Sequence, residues 1–210
     1  MYAIVEDNNI TQYINFPKSV VIGDVRYPAK IFELWTTTEK EAIGIYEIVV
    51  DKTNYKDPAY YINTDSTYTF ADGQVTESWG TATAKQLEDS FWTQQDSDDG
   101  DLPDDKEVGD VKVEGLKTQK KKIVKQQASG LLAPTDWYVV KASEVADYSV
   151  PSNITTFRAD VRTKSNEMET AIDNCTTVDE LKTLYEYTNT GTEVDPVFTR
   201  PLGEFPTLEN

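Results

Sequence analysis

Leu131-Leu132-Ala133-Pro134-Thr135-Asp136-Trp137-Tyr138-Val139-Val140-Lys141 opens the stretch, residues 130–187, that carries the densest apolar patterning in this chain. Gly130 reads as a helix terminator. Pro134 and Thr135 then set up a new start, with Thr135 or Asp136 as N-cap. Trp137, Val140 and Val145 are expected to share an inner face, with Tyr138 off it. Residues 149–151 form a break, and Ser152 or Asn153 caps the next helix. There Ile154, Phe157, Val161, Met168 and Ile172 follow at spacings of three, four, seven and four, one stripe at the helical period. Ser165 is a small residue within that stripe, and Arg158, Arg162, Lys164, Glu167 and Glu169 fall away from it. Thr177 and Glu180 have the spacing of a capping box, ahead of Val178, Leu181, Leu184 and Tyr185. Two amphipathic stripes so close together predict an antiparallel helical hairpin, with the Trp137 segment lying across it.

Upstream, residues 112–129 hold six lysines and a thin apolar set, Leu116, Ile123 and Val124 among them. The pattern predicts a helix that is solvated or packed on a partner subunit. Before it, residues 96–110 contain eight acidic residues, one basic residue, Pro103 and two glycines. Such a run buries little apolar surface and reads as a flexible, charge-extended linker. Asp96, Asp98 and Glu107 fall at the first, third and twelfth positions of a calcium-binding loop. Gly100 at the fifth, Asp101 at the sixth and Pro103 at the eighth depart from that pattern, so no metal site is assigned.

The N-terminal half has β-type patterning. Residues 2–6 and 10–14 flank Asp7-Asn8-Asn9, and residues 19–22 and 25–27 flank Gly23-Asp24, two strand–turn–strand units. A short helix is expected over 29–35. A second starts at Thr37 or Thr38 with Glu41 as its box partner, and Gly44 ends it. Residues 45–50 form a strand, and Asp72-Gly73 signals a hairpin. Residues 81–92 turn helix-like. Aromatic residues crowd this half. Exposed rings would suit carbohydrate, but a small domain also uses aromatics as core and cross-strand pairs.

The expected architecture is therefore α+β. It comprises a mostly antiparallel β domain with short helices over 1–95, the acidic linker over 96–111, a helical domain over 112–188 and an extended tail over 189–210. Val197, Phe198, Leu202 and Phe205 in the tail are candidates for docking on a partner.

A net charge of −17 on 210 residues disfavours nucleic acid and anionic membrane surfaces as partners. With no histidine and one cysteine, Cys175, the chain lacks Ser-His-Asp chemistry, histidine-containing zinc sites and an internal disulfide. Cys175 reads as a structural thiol. No phosphate-cradling loop is present, and the carboxylates concentrate in the linker, where nothing holds them in fixed geometry. No window reaches the roughly 18 apolar residues of a membrane span, and the N-terminus lacks the basic region of a signal peptide. The chain is expected in a cytosol, as a non-enzymatic binding protein without a cofactor.

Residues 131–139 resemble a segment of the tail-fibre assembly chaperones and related tail-associated proteins of tailed bacteriophages. In that family an L-x-x-T-D-W segment precedes a Val-Pro start, an Arg-rich helix and a terminal T-x-(D/E)-E-L helix. The matching residues here are Leu132 with Thr135-Asp136-Trp137, Val150-Pro151, Arg158 with Arg162, Ile172, and Thr177-Val178-Asp179-Glu180-Leu181. The likeness covers about residues 130–185. A looser likeness runs through residues 1–5, Tyr27-Pro28, Leu34-Trp35 and residues 42–46. The acidic linker lies outside both.

The resemblance implies a protein without catalytic residues that helps tail fibres fold, trimerise or attach, in the host-cell cytoplasm. It also admits a structural or adaptor protein that stays in the tail, baseplate or fibre attachment site of the virion. The implied partner is a tail-fibre, baseplate or other tail polypeptide, with a homo-oligomer also open. Trp137 and Tyr138 are the candidate partner contacts, because large aromatics dominate interfaces. The alternative for Trp137 is to fill the junction between helices.

Overall fold

The computed structural model describes residues 1–208 and is α+β. It divides into two units, Met1–Ala84 and a second that begins at Lys85. The division therefore falls at residue 84, upstream of the acidic run in which the sequence placed it.

In the first unit, β1 (Tyr2–Glu6) and β2 (Asn9–Ile14) form a hairpin, as do β3 (Val20–Ile22) and β4 (Val25–Tyr27). Two short helices follow, α1 (Ile31–Leu34) and α2 (Thr37–Glu41). Next come β5 (Ile45–Asp51), β6 (Tyr61–Ile62), β7 (Ser66–Ala71), β8 (Gln74–Trp79) and β9 (Thr83–Ala84). The main sheet runs β2-β1-β5-β8-β7. It is antiparallel except for the parallel pair β5–β8. Asp7 and Asn8 (φ 50° and 63°) turn one hairpin, and Asp72 and Gly73 (φ 51° and 74°) turn another. Positive φ at both central residues matches the right-handed twist of the strands.

The α2 cap is Thr36 rather than Thr37 or Thr38, with Glu39 in place of Glu41 as its box partner. Thr36 accepts from the Glu39 amide, and the Glu39 carboxylate accepts from the Thr36 amide. Gly44 ends the helical turn at φ +83°, and a Cβ there would meet Val5 O at 2.6 Å.

The sheet is buried on both faces. On one, Ile4, Ile14 and Ile45 meet Val20, Ile31 and Phe32. On the other, Ala3, Val5, Ile48 and Val75 lie under Tyr46, Tyr68 and Phe70. No helix joins this second cluster. Its lid is aromatic, with Tyr13 against Tyr68 and Tyr46 against Phe70, each pair at 4.7 Å between centroids. The rings thus serve as core and cross-strand pairs, worth about 0.5–1.5 kcal/mol each beyond the area they bury.

The second unit starts with no helix over residues 81–92. Instead β10 (Ser90–Phe91) pairs with β11 (Val111–Val113). Asp89 turns inward, and its carboxylate accepts from the Gly115 amide and the Thr118 hydroxyl. It thereby supplies a cap to α4 (Leu116–Leu132), whose own N-cap residue, Gly115, has no side chain to give.

The acidic run carries local structure. Thr93 and Asp96 form a reciprocal cap on the short helix α3 (Gln94–Asp98), and Trp92 and Asp110 close the loop through backbone hydrogen bonds. Lys112 pairs with Asp96 and lies over the Trp92 ring.

The sequence-expected helix stop at Gly130 does not occur. The helix continues through Leu132 into a 3-10 turn (Ala133–Thr135) and then α5 (Asp136–Glu144). A single glycine inside a helix costs only about 1 kcal/mol, and Pro134 sets the break instead. After α6 (Ser152–Asp173) come α7 (Val178–Tyr185), with its Thr177–Glu180 capping box, and the ladder β12 (Thr188–Asn189) with β13 (Phe198–Thr199).

The expected stripe of α6 is buried from Ile154 to Ile172. Its main partner, however, is α4 running antiparallel, with α7 meeting only its end. Leu116, Val124 and Ala128 form the α4 side of the seam, flanked by the ion pairs Lys121–Asp173 and Lys125–Glu169. Lys117 pairs with Glu88 and donates to Asp173 O. Thus α4 is neither free nor reserved for another subunit. Its apolar stripe is thin because cations complete the seam.

The tail also departs from expectation. Leu202 is buried and its amide donates to Leu184 O. Phe205 joins Ala128, Leu131, Leu132, Phe157 and Val161. Val197 and Phe198 stay exposed.

Candidate functional site

The candidate contacts lie on α5, a nine-residue helix in which no residue is buried. Trp137, Val140 and Val145 do not form an inner face; they are 52%, 52% and 47% exposed. Tyr138 is the half-buried member of the set. The Trp137 and Tyr138 rings stack at 3.9 Å between centroids, 32° from parallel. The expectation failed because the inward side of α5 is set by where its N-terminal end is tied, and that tie was not visible in the spacing of its apolar residues.

The tie is Arg158. Its side chain is buried on α6 and holds the 3-10 corner by three contacts. Nη1 donates to Leu132 O at 2.9 Å and to Thr135 Oγ1 at 2.6 Å, and Nη2 pairs with Asp136 Oδ1 at 2.8 Å. Thr135 in turn donates to Leu132 O at 2.7 Å. A planar guanidinium suits a carbonyl, a hydroxyl and a carboxylate at one corner because its donors point in fixed directions. Sequence reasoning set Arg158 on the polar side of α6. The available signal was its position next to Phe157 together with Pro134, whose missing N–H leaves helix carbonyls in need of donors.

At the other end of α5, Asp147 at φ +65° turns the chain back. That places the Tyr148 ring 4.3 Å from Lys141 Nζ, which also lies 5.7 Å from the Trp137 ring centre. The result is an exposed strip of π and aliphatic surface with one ammonium group held between two rings.

Two further groups singled out by the sequence are committed locally. Asp96, the first of the would-be calcium ligands, is held well below the usual carboxylate range by hydrogen bonds from Lys112 and Thr93. Its oxygens therefore serve a cap and an ion pair. Among the described residues, no group of three or more His, Cys, Asp or Glu side chains is placed to hold a metal ion. Cys175 is buried, its thiol donates to Ala171 O, and burial pushes its pKa up. Such a thiol is a poor nucleophile. No helix of the described residues is long and apolar enough to cross a membrane.

Comparison of the chain with protein-family models, curated proteins and solved structures finds no match.

Proposed function

We propose that this protein is a tail-associated protein of a tailed bacteriophage, acting as a non-enzymatic assembly chaperone that binds a fibre or tail polypeptide through α5. The reading rests on the likeness of residues 130–185 to that family. One observation supports the choice of surface. Thr135, Asp136 and Arg158, all in the matching segments, join in one cluster, and Trp137 beside them stands exposed rather than filling a helix junction. An exposed tryptophan on a helix tied at its base suits a contact site, because a large ring gives much contact area at little entropic cost.

Mass spectrometry of purified particles separates the two roles within this reading. Abundance in the infected-cell lysate with absence from particles marks a chaperone that leaves after assembly. A fixed copy number against a known tail component marks the structural or adaptor role. Co-expression with a fibre C-terminal fragment tests the activity directly. Soluble trimeric fibre is expected to rise with the wild-type chain and less with Trp137→Ala. Equal yield with and without the protein, together with its absence from particles, overturns the proposal.

A further inference from the structure

Every residue from Glu186 to Thr199 is exposed, so the stem that brings the tail back to the helices buries nothing. Its ladder, β12 with β13, is two residues a side, and an isolated two-stranded hairpin is marginal in water. Beyond the stem the tail sits on the helices through two apolar residues. Leu202 is buried, and its amide donates to Leu184 O at 3.0 Å. Phe205 packs on Leu131, Leu132 and Phe157. The charged groups of this segment are met close by. Arg200 pairs with Glu204, which also accepts from the Tyr187 hydroxyl at 2.5 Å. The seat is not filled. Cavities of about 630 Å³ beside α6 and about 400 Å³ beside α4 are both lined by Pro206 and Thr207 of the tail.

A segment with an unburied stem, two apolar footholds and open space along it can leave without unfolding what it covers. We infer that residues 200–208 are a strap that opens while α4, α6 and α7 stay folded, and that it holds in cis a groove able to take a segment of the same chemistry in trans. The groove is built by Ala128, Leu131 and Leu132 of α4 with Phe157 and Val161 of α6. Its present occupant shows what fits. Pro201-Leu202-Gly203-Glu204-Phe205-Pro206 presents Leu and Phe three residues apart, between prolines, across a turn in which Gly203 has φ +74°. A tethered segment acts at an effective concentration on the order of millimolar. The cis tail therefore shuts out a weaker ligand in trans until it is displaced. The groove ends at the corner that carries α5, because Leu132 meets the Phe205 cluster through its side chain while its carbonyl accepts from Arg158. The inference concerns this groove and rests neither on α5 as a contact face nor on the tail-fibre assignment.

Two measurements on the full chain test it. In wild-type protein, hydrogen exchange by NMR is expected to show the Leu202 amide at least about a hundredfold less protected than the α6 amides around Val161 and Met168, as a sub-global opening requires. Equal protection overturns the inference. The second uses a fluorescein-labelled peptide of residues 196–208, read by fluorescence anisotropy. It is expected to bind the Leu202→Ser, Phe205→Ser double variant, whose groove is unchanged, at least about tenfold more tightly than wild type, because the cis competitor is gone. Phe205→Ser in the peptide is expected to abolish that binding. Equal binding to wild type and variant overturns the inference, as does no binding to a variant whose helices persist by far-UV circular dichroism. A double variant that loses its helices shows the tail to be part of the core and overturns it as well. None of these results bears on whether the protein occurs in phage particles, so the two proposals can fail separately.

Discussion

Arg158→Met removes the guanidinium that ties the α5 corner to α6 while keeping most of the side-chain volume. Arg158 is 8% exposed and makes three contacts through charged nitrogens. A hydrogen bond to a charged group is worth about 1.5–3 kcal/mol, but the losses do not simply add here. The Leu132 carbonyl keeps the Thr135 hydroxyl as donor, and the Asp136 side chain, 60% exposed, returns to water. A net loss of about 2–3 kcal/mol follows, short of the roughly 3–5 kcal/mol for breaking a fully buried pair. With a urea slope of roughly 2 kcal/mol/M, the midpoint should fall by about 1 M. Circular dichroism at 222 nm is the right readout, because α4 and α6, the long helices, both lie in the second unit. Arg162→Met is the control. Arg162 is exposed one turn further on and makes a single hydrogen bond to Arg158 O at 3.2 Å, so it should change stability by less than about 0.5 kcal/mol. Equal midpoints for the two variants would refute the assignment of Arg158 as the tie.

Two further outcomes follow from local geometry. Gly44→Ala should destabilise the first unit by more than about 1 kcal/mol, because φ is +83° and the new Cβ would lie 2.6 Å from Val5 O; faster hydrogen exchange of the β1 and β5 amides is the measurement. Asp96 has its pKa lowered in the folded chain by Lys112 and Thr93, so its contribution is present above the unfolded value near 4 and is lost as pH falls through the folded one. Asp96→Asn should therefore flatten the decline of the urea midpoint between about pH 5 and 2, and an unchanged slope would exclude Asp96 as a contributor.

The seam between α4 and α6 shows how a basic helix can be misread. The six lysines over residues 112–129 suggested a solvated or partner-facing helix. In the structure Glu88, Glu169 and Asp173 come from across the chain to Lys117, Lys125 and Lys121, and Glu114 just before α4 pairs with Lys122. Only Asp96, paired with Lys112, belongs to the acidic run. Long lysine stems cover apolar surface while their ammonium groups reach carboxylates, so a helix with few apolar residues still found a full partner. These pairs are largely exposed and individually worth about 0–1 kcal/mol. The buried stripe of α6 supplies the apolar side of the seam.

The amino-acid sequence by itself determined what depends on near neighbours. The hairpin turns at Asp7-Asn8 and Asp72-Gly73, the stop at Gly44, the stripe of α6 and the Thr177–Glu180 cap all rest on contacts within a few residues. Side-chain period and positive φ specify such features locally. What only the tertiary structure decided depends on groups far apart in the chain. Asp89 caps α4, so residues 86–91 form no helix and Ser90–Phe91 is a strand. Lys112 holds Asp96, so the acidic run is tied to β11. Leu184 and the Phe157 cluster hold Leu202 and Phe205, so the tail is docked. Arg158 turns the exposed side of α5 outward with Trp137 on it. In each case one hydrogen-bonding or apolar group finds a partner more than about a dozen residues away, and chain closure over that distance costs only a few kcal/mol at most. The cost is small enough for one good contact to choose the fold, and the separation is too long for any local pattern to announce it.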